Sequence, residues 1–271
     1  MLPKPLYIFF LKFITMQKRG QATVFIIIGI VVLIAVILVF FLRGDLIAEK
    51  ISPEDAREIL TSQLNPIEDH IEECISKVAS DGIKNLALQG GTFTPISYAV
   101  YNGSNVQYLC YKEPGTSTCI QKPLTRANVE SQISDYVKTQ IFTCLDISQF
   151  EKDKRFRFTT EKLNANTHID DNTVQVNVNY PITLSRSGVK TTIEDFSANL
   201  RMPLGKMMDL STNIINSEIE MGEFDNINYM VRNKGEILVE RHTPYPDEIY
   251  TLKARDGSLI FQFGIEGEST I

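Results

Sequence analysis

Residues 174–184 read VQVNVNYPITL, and residues 196–204 read FSANLRMPL. In both stretches apolar and polar residues alternate one by one, which is typical of β-strands with one face in a core. The intervening segment SRSGVK joins them, so the two stretches predict an antiparallel pair with one buried face. Pro181 has no backbone N–H to donate, which predicts that the first strand either lies at an edge or ends there.

Helical periodicity precedes and follows this pair. Ser52 caps a predicted helix that begins SPEDAREILTSQL, and Asn65-Pro66 interrupts that helix and starts a new turn. A second helix is predicted for TRANVESQISDYVKTQIFTCLD after the cap Thr125, and a third for GKMMDLSTNIINSEIE. Residues 52–271 are therefore predicted to be an α+β domain with antiparallel sheet and amphipathic helices. They form either one domain or two lobes, 52–150 and 151–271.

Two short turns predict hairpins. Asn102-Gly103 favours a two-residue turn between ISYAVY and SNVQYLC, and Asp256-Gly257 favours a hairpin turn between EIYTLKA and SLIFQFGI. Asn102-Gly103-Ser104 is also the one N-glycosylation sequon of the chain. Asn102 is therefore a candidate glycosylation site, although such triplets are common by chance.

A long apolar segment begins near the N-terminus. Ala22 to Leu42 is an uncharged and almost wholly apolar run, longer than the apolar part of a secretory signal. A helix of that length crosses a hydrocarbon core of about 30 Å. The sequence thus predicts a transmembrane helix at 21–42, lipid contact through 22–42 and a linker at 43–51.

The charges predict an orientation. Lys12, Lys18 and Arg19 precede the apolar run, which by the positive-inside rule places the N-terminus in the cytoplasm and residues 44–271 outside a single-pass cell-membrane protein. The chain's net charge is −6, and its first 43 residues carry +5, so residues 44–271 carry −11. This acidity excludes nucleic acid as a favoured partner and indicates a soluble surface, or attraction to basic partners or cations.

Four cysteines predict two disulfides. Cys110 and Cys119 flank an eight-residue loop with a Pro-Gly turn, which leaves Cys74 to pair with Cys144. Cys74 and Cys144 both fall on apolar helix faces that can pack together. An outside domain would preserve such bonds. The alternatives are four buried thiols in a reducing compartment, or a zinc site. The zinc site is disfavoured because the chain has no C-x-x-C pair and its three histidines lie in unrelated segments.

KRGQATVF followed by the apolar run resembles the class III signal of archaeal type IV pilin-like proteins. The resemblance implies a leader at 1–20, removed by a prepilin-type peptidase between Gly20 and Gln21. A start at Met16 would give the shorter leader MQKRG. Filament-forming pilins usually carry glutamate at the fifth mature position, whereas Phe25 stands here. An anchored protein and a polymerising subunit are therefore both compatible with the signal.

A broader pattern resembles a group of uncharacterised single-span surface proteins of small-genome archaea. Its parts are a cysteine-bearing helix that runs into LALQGGTF, a second cysteine-bearing helix and the strand VNVNYPITL. This second resemblance implies architecture and location, and it implies no chemistry.

No catalytic, cofactor or metal motif occurs, so we predict no catalytic residue, cofactor or metal and no enzyme. The pairs Glu68-Asp69 and Glu72-Glu73 could bind a cation but are better explained as a solvated helix face. His242 is interpreted as a loop histidine, with ligand binding as the alternative.

The predicted function is that of a membrane-anchored, pilin-like cell-surface protein acting through contacts with itself or with surface proteins, as a minor filament subunit or scaffold. The alternatives are an anchored monomeric receptor for a solute or partner and, less favoured, an extracytoplasmic enzyme.

Overall fold

A computed structural model describes residues 22–46, 53–112, 119–146, 156–186 and 188–267. The chain divides into two compact units, residues 1–54 and residues 55–271. The predicted leader at 1–20, the alternative start at Met16 and the cleavage site between Gly20 and Gln21 lie outside the described residues.

Helix α1 (Ala22–Leu46) forms where the apolar run predicts a helix. Its side chains are described from Phe25 to Leu38, a stretch of 14 residues. None of the described helices is long and apolar enough to span a membrane. The predicted transmembrane helix at 21–42 and the predicted single-pass cell-membrane location are therefore wrong. The lipid contact expected for 22–42 stays a prediction.

Helix α2 (Pro53–Leu88) runs without a break through Pro66. The predicted interruption at Asn65-Pro66 is wrong because the apolar stripe continues across it: Leu64, Ile67 and Ile71 are all buried. Fully burying a large aliphatic side chain contributes roughly 1.5–3 kcal/mol. Several such residues on both sides of Pro66 outweigh the backbone hydrogen bond that a proline removes.

The later helices are shorter and clearly bounded. Helix α3 (Arg126–Gln140) begins at the predicted cap, since Thr125 accepts a hydrogen bond from the Asn128 N–H, and a 3₁₀ turn (Ile141–Thr143) follows. Helix α4 (Leu204–Met221) matches the predicted third helix and ends at Gly222, whose φ of +80° suits glycine. Helix α5 (Asn226–Arg232), capped by Asp225, was not predicted.

One sheet contains six strands: β1 (Tyr98–Tyr101), β2 (Ser104–Tyr111), β3 (Ile120–Gln121), β8 (Ile237–His242), β9 (Glu248–Ala254) and β10 (Ile260–Ile265). They pair in the order β1-β2-β10-β9-β8, with β3 also paired to β2. Strand β10 pairs with β2 in parallel, and the other described pairs of this sheet are antiparallel. Both predicted hairpin turns are confirmed, at Asn102-Gly103 and at Asp256-Gly257.

The second sheet is antiparallel and built around one long central strand, β6 (Val174–Arg186). Strand β7 (Val189–Leu200) pairs along one side of β6, which confirms the predicted pair. Strands β5 (Asn164–Ile169) and β4 (Arg157–Thr160) share its other side. Strand β6 neither ends nor becomes an edge at Pro181. Instead the register with β7 shifts between Asn179 and Ile182, and such an irregularity accommodates a proline in a sheet.

A single apolar core runs through residues 55–271. It joins the inner faces of α2, α3 and α4 to both sheets, with members such as Ile71, Ile133, Val176, Ile214 and Phe261. Residues on either side of position 150 therefore pack into one cluster. The observed architecture is α+β with mainly antiparallel sheets, as the alternation predicts.

Candidate functional site

The two predicted disulfides are present. Cys74 of α2 is bonded to Cys144, just after the 3₁₀ turn, with their Cα atoms 5.9 Å apart. Cys110 of β2 is bonded to Cys119, with 5.4 Å between the Cα atoms. The first bond lies against the core and the second closes the loop after β2. Both bonds thus hold the framework together, and neither leaves a cysteine thiol for chemistry.

Asn102 lies in the exposed turn between β1 and β2 and adopts a φ of +47°. Asparagine tolerates this left-handed conformation better than most residues, and Gly103 follows at +80°. The side chain is therefore accessible for modification. Glycosylation of Asn102 stays a prediction.

The acidic pairs of α2 do not form a cation site. Within the described residues no group of three or more histidine, cysteine or acidic side chains is placed to hold a metal ion. Glu72 instead accepts a hydrogen bond, 3.2 Å long, from the backbone N–H of Ser197 in β7. This contact fastens α2 to an N–H on the edge of the four-stranded sheet.

His242 ends strand β8 rather than standing in a loop, so the loop interpretation of this residue is wrong. Its ring centroid lies 5.4 Å from that of Tyr101, the last residue of β1. Strands β1 and β8 are the two ends of the five-strand path. With strands about 4.8 Å apart, the edges of a flat sheet of this width would be roughly 19 Å apart. The six-stranded sheet therefore curls until its opposite edges meet.

The curl encloses a groove of about 430 Å³ on the face of the sheet that lies away from the core. All five strands of the path contribute to its lining: Tyr101 from β1, Ser104 from β2, Gln262 from β10, Thr251 and Lys253 from β9, and Glu240 and His242 from β8.

Gln262 and Thr251 lie deepest among these polar groups, with exposures of 7% and 3%. The Gln262 amide donates to the Thr251 hydroxyl over 3.2 Å. Near the mouth Lys253 donates to both carboxylate oxygens of Glu240 at 2.7 Å, and Nε2 of His242 lies 3.4 Å from Glu240. The hydrogen bond from Lys253 is the main cause that lowers the pKa of Glu240 below its ordinary value. The groove thus contains one charge of each sign, placed to neutralise each other.

An apolar group lies on the same face of the sheet as the groove residues. Val106 and Ile249 are fully buried, and Tyr108 reaches across Gly264 to donate to Asp247 over 2.7 Å. A Cβ at Gly264 would lie 2.8 Å from the Tyr108 ring, so glycine is needed at this point. Burial is the main cause that raises the pKa of the Tyr108 hydroxyl, which therefore stays protonated as a donor.

A second cleft of about 350 Å³ lies beside the Cys110–Cys119 bond and contains Glu218, Glu248 and Glu266. Each of these carboxylates already has a partner. Tyr250 donates to Glu218, Arg241 donates twice to Glu248 at 2.9 and 2.5 Å, and the Lys112 N–H donates to Glu266 at 2.9 Å. The cleft therefore holds three carboxylates that already accept hydrogen bonds from within the fold, and one of them, Glu248, is also paired with a positive charge.

Helix α1 presents the most apolar described surface. Its twelve large aliphatic and aromatic side chains between Phe25 and Leu38 are 46–74% exposed on every side of the helix. Helices that are apolar all round are normally buried. Exposed apolar patches of this extent are typical of interaction surfaces.

Sequence reasoning identified the disulfides, Asn102 and the apolar helix, but it missed the groove. A signal was present in the alternation of β8, β9 and β10, where Glu240, Thr251, Lys253 and Gln262 occupy the face opposite the core residues. Nothing in that alternation says that β1 comes to lie beside β8. His242 is the one groove residue that the sequence singled out as a candidate for ligand binding. The structure brings it together with residues that the sequence did not single out.

Comparisons of the chain with protein-family models, with curated proteins and with solved structures find no match. The function must therefore be inferred from the surfaces of the chain itself, above all from the apolar helix α1 and the groove of the curled sheet.

Proposed function

We propose that this protein is a pilin-like subunit or scaffold that acts through protein–protein contacts, and that copies associate by packing α1 against α1. The observation that carries the proposal is the exposure of every large apolar side chain described in α1. The resemblance of KRGQATVF to a class III signal supports it from the sequence.

The uniform apolarity of α1 favours a bundle over a single groove partner. A helix that docks into one groove needs an apolar stripe on one side, whereas α1 is apolar on all sides. Several neighbouring helices can cover it completely. Phe25 adds apolar area at the position where filament-forming pilins usually carry glutamate, so register between copies rests on side-chain packing.

The charge of the rest of the chain opposes this association. Residues 44–271 carry −11, so neighbouring copies repel each other at low ionic strength. Salt screens that repulsion, with a Debye length of about 10 Å at 0.1 M. Association driven by α1 should therefore strengthen as the salt concentration rises, whereas contacts between opposite charges would weaken.

Sedimentation of the full-length chain at 50 and 500 mM NaCl tests the proposal. We expect assemblies that grow with salt and dissociate at least tenfold more readily in Ile30→Asp and Ile34→Asp, because each buried aliphatic side chain contributes roughly 1.5–3 kcal/mol. Ile96→Asp is the matched control, since Ile96 is 86% exposed but lies outside α1. A wild-type monomer at both salt concentrations, assembly only with added phospholipid vesicles, or equal disruption by Ile96→Asp would contradict the proposal.

A further inference from the structure

We infer that the groove of the curled sheet binds a neutral sugar ring, such as one monosaccharide unit of a glycan. This inference is independent of the packing of α1, because every residue that carries it lies in the strands of residues 55–271.

The hydrogen-bonding groups match a polyol. Gln262 offers an amide, Thr251 and Ser104 offer hydroxyls, Glu240 offers a carboxylate and Lys253 an ammonium group. Sugar hydroxyls both donate and accept, so they suit a lining that mixes donors with acceptors. A ligand with acceptors alone would leave Glu240 without a new partner, and one with donors alone would leave Lys253 without one.

The charges favour a ligand with no net charge. Glu240 and Lys253 neutralise each other through two hydrogen bonds of 2.7 Å. An anion would compete with Glu240 for Lys253, and a cation would compete with Lys253 for Glu240. A neutral hydroxyl can bond to either residue without separating the pair.

The shape and the aromatic wall favour a ring. The volume of about 430 Å³ falls in the range typical of small-molecule sites. Tyr101 is half-buried at the wall, where His242 holds its ring at 5.4 Å. The apolar C–H face of a sugar ring can pack on such an aromatic ring while its hydroxyls reach the deeper polar groups.

The deep polar pair is also unusual for its position. Gln262 and Thr251 lie on adjacent strands in the middle of the sheet and are more than nine-tenths buried. Buried polar groups are costly unless they are hydrogen-bonded, and here the Gln262 amide and the Thr251 hydroxyl bond to each other at the floor of the groove. A ligand that bonds to the pair gives these residues a function.

Binding should be measured on the full-length chain expressed in a host without N-glycosylation, because Asn102 lies at the mouth of the groove. The probes are methyl glycosides of neutral hexoses and N-acetylhexosamines, with glucuronic acid and glucosamine as charged counterparts and glycerol as a polyol without a ring. Saturation-transfer NMR and titration calorimetry report binding. We expect at least one neutral glycoside to bind, and the charged sugars and glycerol to bind at least tenfold more weakly.

Variants then locate the binding. We expect Thr251→Val, which keeps the side-chain shape, and Tyr101→Ala to weaken binding at least tenfold, while Tyr101→Phe keeps it. Tyr98→Ala is the matched control, since Tyr98 lies on the opposite face of β1. Binding by none of the neutral glycosides, stronger binding of a charged sugar, or unchanged affinity in a folded Thr251→Val protein would overturn the inference.

Discussion

The ring of Tyr101 lies 5.4 Å from the ring of His242, although the two residues sit on strands at opposite ends of a five-strand path. This contact closes the curl that forms the groove. Aromatic pairs of this kind contribute about 0.5–1.5 kcal/mol beyond the area that they bury.

A double-mutant cycle should detect that contact. Tyr101→Ala and His242→Ala are expected to be coupled by about 0.5–1.5 kcal/mol in the free energy of unfolding, because each substitution removes the same ring pair. Urea denaturation of the four proteins measures the coupling. The cycle of Tyr98→Ala with His242→Ala serves as the control and should give no coupling; equal coupling in both cycles would show that the edges do not meet at Tyr101.

The Glu218 carboxyl should make stability depend on pH. Burial is the main cause that raises its pKa above the ordinary 4.5, so the folded state holds this proton more tightly than the unfolded chain. The stabilisation from Glu218 is complete below pH 4.5 and is lost as pH rises from there through the raised pKa. The free energy of unfolding of wild type minus that of Glu218→Gln should therefore fall across this window.

Tyr250→Phe provides a second measurement at the same site. The hydrogen bond from Tyr250 lowers the pKa of Glu218, in opposition to burial. Removing that hydroxyl should raise the pKa further and extend the window of pH dependence upward. Denaturation at a series of pH values tests both variants, and a difference between wild type and Glu218→Gln that is constant with pH would refute the assignment.

The two disulfides should differ in their effect on stability. Cys74 and Cys144 are 70 residues apart in sequence, and Cys110 and Cys119 are nine apart. In the chain-entropy model, replacing the first pair by serine costs about 4 kcal/mol and replacing the second about 2.5 kcal/mol. Chemical denaturation of the two double variants measures the free energy of unfolding that each one loses. A greater loss in the Cys110–Cys119 variant would contradict the prediction.

Gly82 should not tolerate alanine. A Cβ there would lie 2.5 Å from the Tyr136 ring, which stacks on Phe93 at 4.7 Å and so has little room to move. We expect Gly82→Ala to lower the free energy of unfolding by about 1–3 kcal/mol, as overpacking does. Gly29→Ala is the helical control, since nothing lies within 4 Å of its Cβ position, and it should leave the unfolding of residues 55–271 unchanged.

Processing of the N-terminus tests the pilin-like proposal separately. If a prepilin-type peptidase acts on the chain, the native protein begins at Gln21. Mass spectrometry of protein from its own cells should find that terminus, and Gly20→Val should abolish it. A native chain that retains Met1 or Met16 would argue against this route.

Local patterns alone determined much of this protein. The alternation in Val174–Leu184, the cap at Thr125, the two hairpin turns and both cysteine pairings could be predicted, because each depends on neighbouring residues or on which face of a helix or strand a residue occupies. The unbroken passage of α2 through Pro66 could not, since distant partners supply the burial that outweighs the lost hydrogen bond.

The groove belongs wholly to the tertiary structure. Tyr101 and His242 are separated by 140 residues, and they meet because β10 pairs in parallel with β2 and the sheet then curls. The pairing of strands so distant in sequence is decided by the core that they share, since alternation shows which face of a strand is buried but not which strand lies beside it. The apolar run likewise predicted a helix at Ala22, because helix formation depends on neighbouring residues, whereas the exposure of its side chains from Phe25 to Leu38 is known only from the structure.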